Sequence, residues 1–301
     1  MKKNKAVRIA LLLVLVSLFC VMVWFFHGTE EGMESGSIQV MSGVGLYQAA
    51  KQSYCSRYEN GIHFVPTALQ EDDLVFLNLD MFDDFMRILE SAPQPVAKFI
   101  LMTQNADTSF SKLHLERLQP YVRKIYAIND TTDDDSLVRT IPIGWNDQTA
   151  QILSQFPTSC PKEHLLYMNF LITTNPPKRQ LCYDTFVGKP YVLEENGVSK
   201  EQFHDSLCRS CYVLSPEGTG IDCHRVYESL YVGTIPILKR TESEKMNRFY
   251  ETLPVLLCDE WSEISESYLR ERYDALYGAM LQWKQANPNW WRVDFWIDEI
   301  A

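Results

Sequence analysis

The chain of 301 residues has no internal repeat and no low-complexity tract. That excludes a solenoid or an array built on a fixed period. Basic charge is scarce. Lys and Arg number 28 against 39 Asp and Glu, for a formal net charge of −11. Four of those cations (Lys2, Lys3, Lys5 and Arg8) sit at the N-terminus, so the rest of the chain is more acidic still. Nucleic acid and anionic membrane surfaces are therefore disfavoured as partners. Zinc-finger spacing is missing too. Cys208-Arg-Ser-Cys211 has no second CxxC or His pair at finger distance, so it is expected to be structural or incidental. Seven of the eight cysteines lie beyond the N-terminal segment, and an odd number leaves at least one thiol free or paired between chains.

What is present begins with an address. Residues 9–26 are an uncharged apolar run of eighteen, just long enough to cross a bilayer. The flank that follows holds Glu30, Glu31 and Glu34 and no Lys or Arg up to residue 35. Val23-Trp24-Phe25-Phe26 offers no small-residue cleavage site. These features predict an uncleaved signal anchor. Residues 1–8 are a cytosolic tail, 9–26 the span and 27–44 a stem or linker, with the remainder on the exoplasmic side. The expected topology is that of a single-pass type II membrane protein. Asn129-Asp130-Thr131 is a glycosylation sequon on that side, which makes Asn129 an expected glycan site.

Beyond residue 44, strands and helices alternate. Apolar runs at 73–79, 97–102 and 125–128 predict strands, with helices at 82–91 and 113–118 between them. Ile141-Pro142-Ile143-Gly144 breaks the pattern, and a lobe boundary is placed just after it. The N-terminal lobe is then 45–146 and the C-terminal lobe 147–301. The second lobe repeats the theme, with strands at 165–172, 212–215, 235–238 and 254–257 and helices between them. A long helix over 267–285 and a Trp-rich tail at 289–300 complete it. The fold class is α/β, with doubly wound parallel sheets, and ligands in such folds sit at the carboxyl ends of strands.

One segment carries most of the chemistry. Residues 215–238 read SPEGTGIDCHRVYESLYVGTIPIL. A strand ends at Ser215, a turn bearing Gly218 and Gly220 follows, and a helix runs to residue 231 or 232. Free backbone N–H groups and the helix dipole favour an anion at such a place. Asp222 is expected as the N-cap. At 100° per residue, Cys223, Val226, Tyr227, Leu230 and Tyr231 share an apolar arc, while His224, Arg225 and Glu228 share the other. A cation beside a diphosphate and an acid one turn later suit a nucleotide-sugar. Arg225, the backbone of 218–223 and Arg179 are the expected diphosphate ligands. Glu228 is assigned to the ribose, and His224, Ser215 and Glu217 to the donor pocket wall. An ordinary solvated helix face is the alternative for these residues.

The same segment resembles the signature of exostosin-like glycosyltransferases. Further similarity lies in Leu253-Pro254-Val255-Leu256 and in residues 259–264 downstream. Upstream, residues 99–107, 141–144, 166–170 and 174–180 are also similar. Gln104 departs from the pattern, standing where a histidine is expected. The resemblance implies two Rossmann-like lobes facing a cleft (the GT-B arrangement), a sugar-nucleotide donor on the C-terminal lobe, and inversion at the anomeric centre. UDP is the family's expectation for the nucleotide. The acceptor would be a glycan or glycoconjugate hydroxyl. An inverting enzyme needs a general base, and Asp80 and Asp107, each following a strand of the N-terminal lobe, are the candidates. No cofactor is expected, the nucleotide-sugar being a co-substrate.

Three rival readings stand beside this one. Asp133-Asp134-Asp135 has the acid-any-acid pattern of a divalent-ion site on a sugar diphosphate, though its polar surroundings favour a solvated loop. A dinucleotide oxidoreductase would use Gly218-x-Gly220 with Arg240 near a 2′-phosphate, but Cys223 occupies the third glycine position. A tethered nucleotide-sugar or carbohydrate binder would use the fold without the chemistry.

Overall fold

The computed structural model describes residues 39–298. The expected cytosolic tail and membrane span, and most of the stem, lie outside the described residues. Among the described residues no helix is long and apolar enough to cross a membrane.

The first lobe is a six-stranded sheet in the order β2-β1-β3-β4-β5-β6. Its strands are β1 (Gln52–Tyr54), β2 (Ile62–His63), β3 (Leu74–Asn78), β4 (Phe99–Gln104), β5 (Val122–Ala127) and β6 (Val138–Thr140). All neighbours are parallel except β1 and β2. β4 is buried along its whole length, which is why it reads as an unbroken apolar run. The second lobe is a five-stranded parallel sheet, β11-β10-β9-β7-β8. It comprises β7 (His164–Met168), β8 (Val192–Glu194), β9 (Ser210–Leu214), β10 (Ile235–Lys239) and β11 (Leu256–Cys258). Two open, largely parallel sheets in one chain agree with the α/β class and parallel sheets expected from the pattern.

Several predicted bounds need correction. The strand expected at 165–172 ends at Met168. The Leu171 carbonyl accepts from Arg179 Nη1 at 2.9 Å, which takes it out of any ladder. The linker expected to reach residue 44 gives way to folded chain from residue 39. Met41 is fully buried, and Ser42 caps the helix Gly43–Ala49 by accepting from Gly45 N–H.

The C-terminal tail explains why that early segment is ordered. The Trp291 carbonyl accepts from Met41 N–H, and the Gln39 carbonyl from Val293 N–H, each at 2.9 Å. Trp290 stacks beside Trp145 with ring centroids 5.1 Å apart. Both tryptophans are buried, at 3% and 1% exposure, in a core that runs without a break from Phe76 and Met102 to Tyr212 and Ile237. The lobes thus share one core. The crossover 141–144 is also tight: Gly144 has φ +66°, and a Cβ there would lie 2.0 Å from the Met41 carbonyl oxygen. Only glycine satisfies both conditions.

Cys208 of the CxxC pair is bonded to Cys160, not to Cys211. The half-buried Cys211 is a free thiol, as are Cys55, Cys182, Cys223 and Cys258. The pair is therefore no redox or zinc motif. The bridge closes a loop of 48 residues around β7, β8 and the helix Lys200–Cys208. Cys208→Ser is expected to lower unfolding free energy by about 2–4 kcal/mol. Denaturant titration with and without reductant checks this: the wild type should lose about the same amount on reduction, and the variant nothing.

Candidate functional site

The two sheets present the carboxyl ends of their strands to a shared cavity of about 270 Å³. The first lobe contributes Ala106 and Asp107 after β4, Asn129 after β5, and Ile143. The second contributes Arg179, the turn 218–220, and Asp222, Cys223, His224, Arg225 and Glu228. Most of the predicted donor residues are therefore brought together.

The turn is held from both sides. Asp222 is not the N-cap; Cys223 is, and the helix runs His224–Tyr231. The Asp222 carboxylate is 3% exposed and accepts from four donors. These are Ile143 N–H at 2.8 Å, Cys223 N–H at 2.9 Å, Tyr227 OH at 2.5 Å and Tyr250 OH at 3.1 Å. The Ile143 bond spans the lobes, and it competes with the cap expected from sequence. Burial raises the Asp222 pKa while the hydrogen bonds lower it. Asp222 N–H in turn donates to Asn129 Oδ1 at 2.8 Å, and the Gly144 carbonyl accepts from His224 Nδ1 at 2.8 Å. Three contacts from the first lobe thus fix the start of this helix.

Arg179 lies in the helix Pro176–Phe186 and is 7% exposed. It donates to two carbonyls, Nε to Glu217 O and Nη1 to Leu171 O, each at 2.9 Å, and its side chain also meets that of Cys223. Burial lowers its pKa, and the positive charge of Arg225 adds to that. Arg225 has a buried Nε with no partner. Among the described residues neither arginine is in a salt bridge, although the chain is acidic overall. Two arginines without a carboxylate partner, one of them in the first turn of a helix, concentrate positive charge on this cavity. Glu228, one turn further on, is 8% exposed, while His224 and Arg225 are half-buried, so the arc is only partly open to solvent.

Other predicted residues are placed elsewhere. Ser215 is 3% exposed, its hydroxyl unpartnered, and it does not line the cavity. Glu217 pairs with Lys178 at 2.5 Å and faces a different pocket, so only its carbonyl serves the site, through Arg179. Asp80 is exposed and accepts from Thr108 Oγ1 at 2.6 Å, outside the cavity, because the chain turns at 79–81 and carries it away. Gln104 is buried and structural: Nε2 donates to Ile143 O, and Oε1 accepts from Asn105 N–H, each at 2.8 Å. Asp135 pairs with Lys245 and Arg248, and Asp134 accepts from Ser136 and Leu137 N–H, so the acidic triplet faces cations and turn amides. No group of three or more His, Cys, Asp or Glu arranged to hold a metal occurs among the described residues. Arg240 pairs with Glu251 and Asp259, away from the glycine turn, which removes the support for a 2′-phosphate reader.

Asn129 requires the largest correction. Its side chain is fully buried, with Nδ2 shut off from solvent, and a Cβ on Gly220 would lie 2.6 Å from that nitrogen. The folded chain has no room for a glycan there. A three-residue sequon carries no information on burial.

Residues 162–276 match the family model for the RXYLT1 C-terminal domain, of the exostosin-like xylosyltransferase family. The C-terminal lobe resembles an exostosin-like glycosyltransferase domain. The matched segment holds Arg179 and the whole 215–228 turn and helix start. No curated protein matches the chain in sequence. Among solved structures, the avilamycin A biosynthesis glycosyltransferase AviGT4 is 13% identical, with TM-score 0.35, over 78% of this chain and 80% of its own. The pneumococcal O-GlcNAc transferase GtfA, solved with UDP and GlcNAc, is 11% identical, with TM-score 0.34, over 73% of this chain. The GtfA/B complex is 11% identical, with TM-score 0.36, over 72%. The matches span 51% and 55% of those last two chains, about half their length.

Behind Glu228 lies His204, missed from sequence because nothing local marks it. It is 3% exposed, its Nδ1 unpartnered, and its ring is stacked 3.8 Å from that of Phe156. Burial holds its pKa below the ordinary 6.5, partly offset by Glu228. A depressed histidine favours the folded state above 6.5 and costs stability as pH falls and the ring must charge. His204→Phe should therefore flatten the loss of stability between about pH 7 and pH 5. Unfolding midpoints across that range, against the wild type, check the sign.

Proposed function

We propose that this chain is a membrane-anchored, inverting glycosyltransferase. In this reading it moves a sugar from a nucleotide-sugar to a glycan or glycoconjugate hydroxyl. One observation supports it most: Arg179 and Arg225 line a cavity at a helix start with no acidic partner among the described residues. A departing nucleoside diphosphate supplies the missing negative charge, and the fixed cations stabilise it as the bond breaks. Glu228, buried one turn along, is the ribose ligand. UDP is the proposed nucleotide. The matched model is that of a xylosyltransferase family, which puts a pentosyl donor first among those to test.

Asp107 is the proposed base. It follows β4, lines the same cavity as Arg225, and is exposed to an incoming acceptor. Its carboxylate takes the proton from the acceptor hydroxyl, whose oxygen attacks the anomeric carbon from the face opposite the diphosphate. Asp80 is disfavoured because it is engaged by Thr108 away from the cavity. The proposed reaction uses the arginines and the helix start in place of a divalent ion. The anchor over 9–26 belongs to the same proposal and rests on the N-terminal sequence alone; a Golgi address rests on that topology together with the proposed reaction.

Asp107→Asn should lower turnover about 10²–10⁴-fold while donor affinity stays near wild type. Asp80→Asn should leave both nearly unchanged. Arg225→Ala should weaken nucleoside diphosphate binding by about 1.5–3 kcal/mol. Calorimetry with UDP and a transfer assay over a donor and acceptor panel measure these. Unchanged binding and turnover in Arg225→Ala combined with Glu228→Ala would end the transferase assignment. UDP binding with no product on any panel would leave a tethered binding protein.

A further inference from the structure

Asn129 combines three features that structure alone does not require. Its backbone has φ +48°, a conformation few residues but glycine and asparagine adopt readily. Its carbonyl is pinned by Phe110 N–H at 3.1 Å. Its Oδ1 accepts from Asp222 N–H across the lobes at 2.8 Å. That bond fixes the amide's orientation, because a flip would set NH₂ against an N–H donor. Nδ2 must then point away from Asp222, towards Gly220, where a missing side chain leaves it room.

There it finds no acceptor. Nδ2 is fully buried and has no hydrogen-bond partner. Native proteins rarely bury an amide nitrogen this way, and each case calls for a reason. The surroundings supply one. Asn129 lines the same cavity as Arg179, Arg225, Gly218 and Gly220. The unmet donor therefore stands beside two unpaired cations.

We propose that Asn129 is a ligand-binding residue contributed by the first lobe, its Nδ2, covered by Gly220 in this structure, donating to a diphosphate oxygen of the ligand held by Arg179 and Arg225 once the 218–220 turn shifts to uncover it. This rests on the reading of the cavity as a nucleoside-diphosphate site. Oδ1 holds the turn from the first lobe while Nδ2 reads the anion, so one side chain ties occupancy of the second lobe to the first. Gly220 is glycine so that this amide can approach.

The test uses the full chain and three probes: UDP, uridine and inorganic pyrophosphate. Asn129→Asp keeps an oxygen for Asp222 N–H and replaces the donor with an acceptor. UDP and pyrophosphate affinity should fall at least about tenfold, close to 1.4 kcal/mol. Uridine affinity should hold, and the KM for donor should rise more than kcat falls. Asn129→Ser, which removes the amide without adding charge, should show the same selective loss and serves if the acid variant does not fold. UDP affinity within twofold of wild type in a folded variant overturns the proposal, as does an equal loss for uridine. A glycan on Asn129, found by mass spectrometry of protein from a glycosylating host, also overturns it. Wild-type protein that binds neither UDP nor pyrophosphate defeats the cavity reading and this proposal together. Variants that bind as well as a binding-competent wild type defeat this proposal alone.

Discussion

A carboxylate taken out of water without a cation beside it must be met by dipoles, and Asp222 is met by four. Two tyrosine hydroxyls and two backbone amides converge on it, and one of those amides belongs to the other lobe. The position of the 218–223 turn follows from this. Helix start, glycine turn and Arg225 stand where they do because the residue between them is locked at both its side chain and its N–H. The carbonyl of that same Ile143 accepts from Gln104. A buried polar chain thus runs from the end of β4, through the crossover, to the turn. Such networks stabilise when every member is satisfied and are costly when one is lost.

The electrostatics of the cavity run against the composition. An acidic chain would be expected to neutralise its arginines, and most of its cations are indeed paired, such as Lys245 with Asp130 and Asp135. Arg179 and Arg225 have no acidic partner among the described residues; Arg179 is held by two carbonyls, and Arg225 Nε is unmet. Burial of one depresses its pKa, and the charge of the other adds to this. Burying a cation without a counter-charge in this way costs folding free energy.

Much of this was legible in the sequence, and the failures have physical causes. β3, β4, β7, β9 and β10 are apolar runs buried on both faces, and they announce themselves. β1, β2, β6 and β8 do not, being two or three residues long and held by their neighbours in the sheet rather than by their own pattern. The glycine turn was readable because its chemistry is local, and so was Arg225. Asp222 was misread as a cap because the competing donors, Ile143, Tyr227 and Tyr250, come from elsewhere in the fold. Asn129 was misread for the same reason, since burial is a property of the whole chain. Ser215 and Glu217 belong to the signature without facing the cavity. Asp107 and Asp80 looked equivalent until the turn at 79–81 carried one of them away.

The chain crosses between its lobes at 141–147 and again where the tail at 290–293 meets residues 39–42. The lobes are therefore tied at two places, not one, by backbone hydrogen bonds as well as by the chain itself. Trp145 and Trp290 are stacked where the two crossings meet. Parting the lobes would cost the Ile143–Asp222 and Asn129–Asp222 bonds together with part of the core that spans them, so packing sets the width of the cavity mouth.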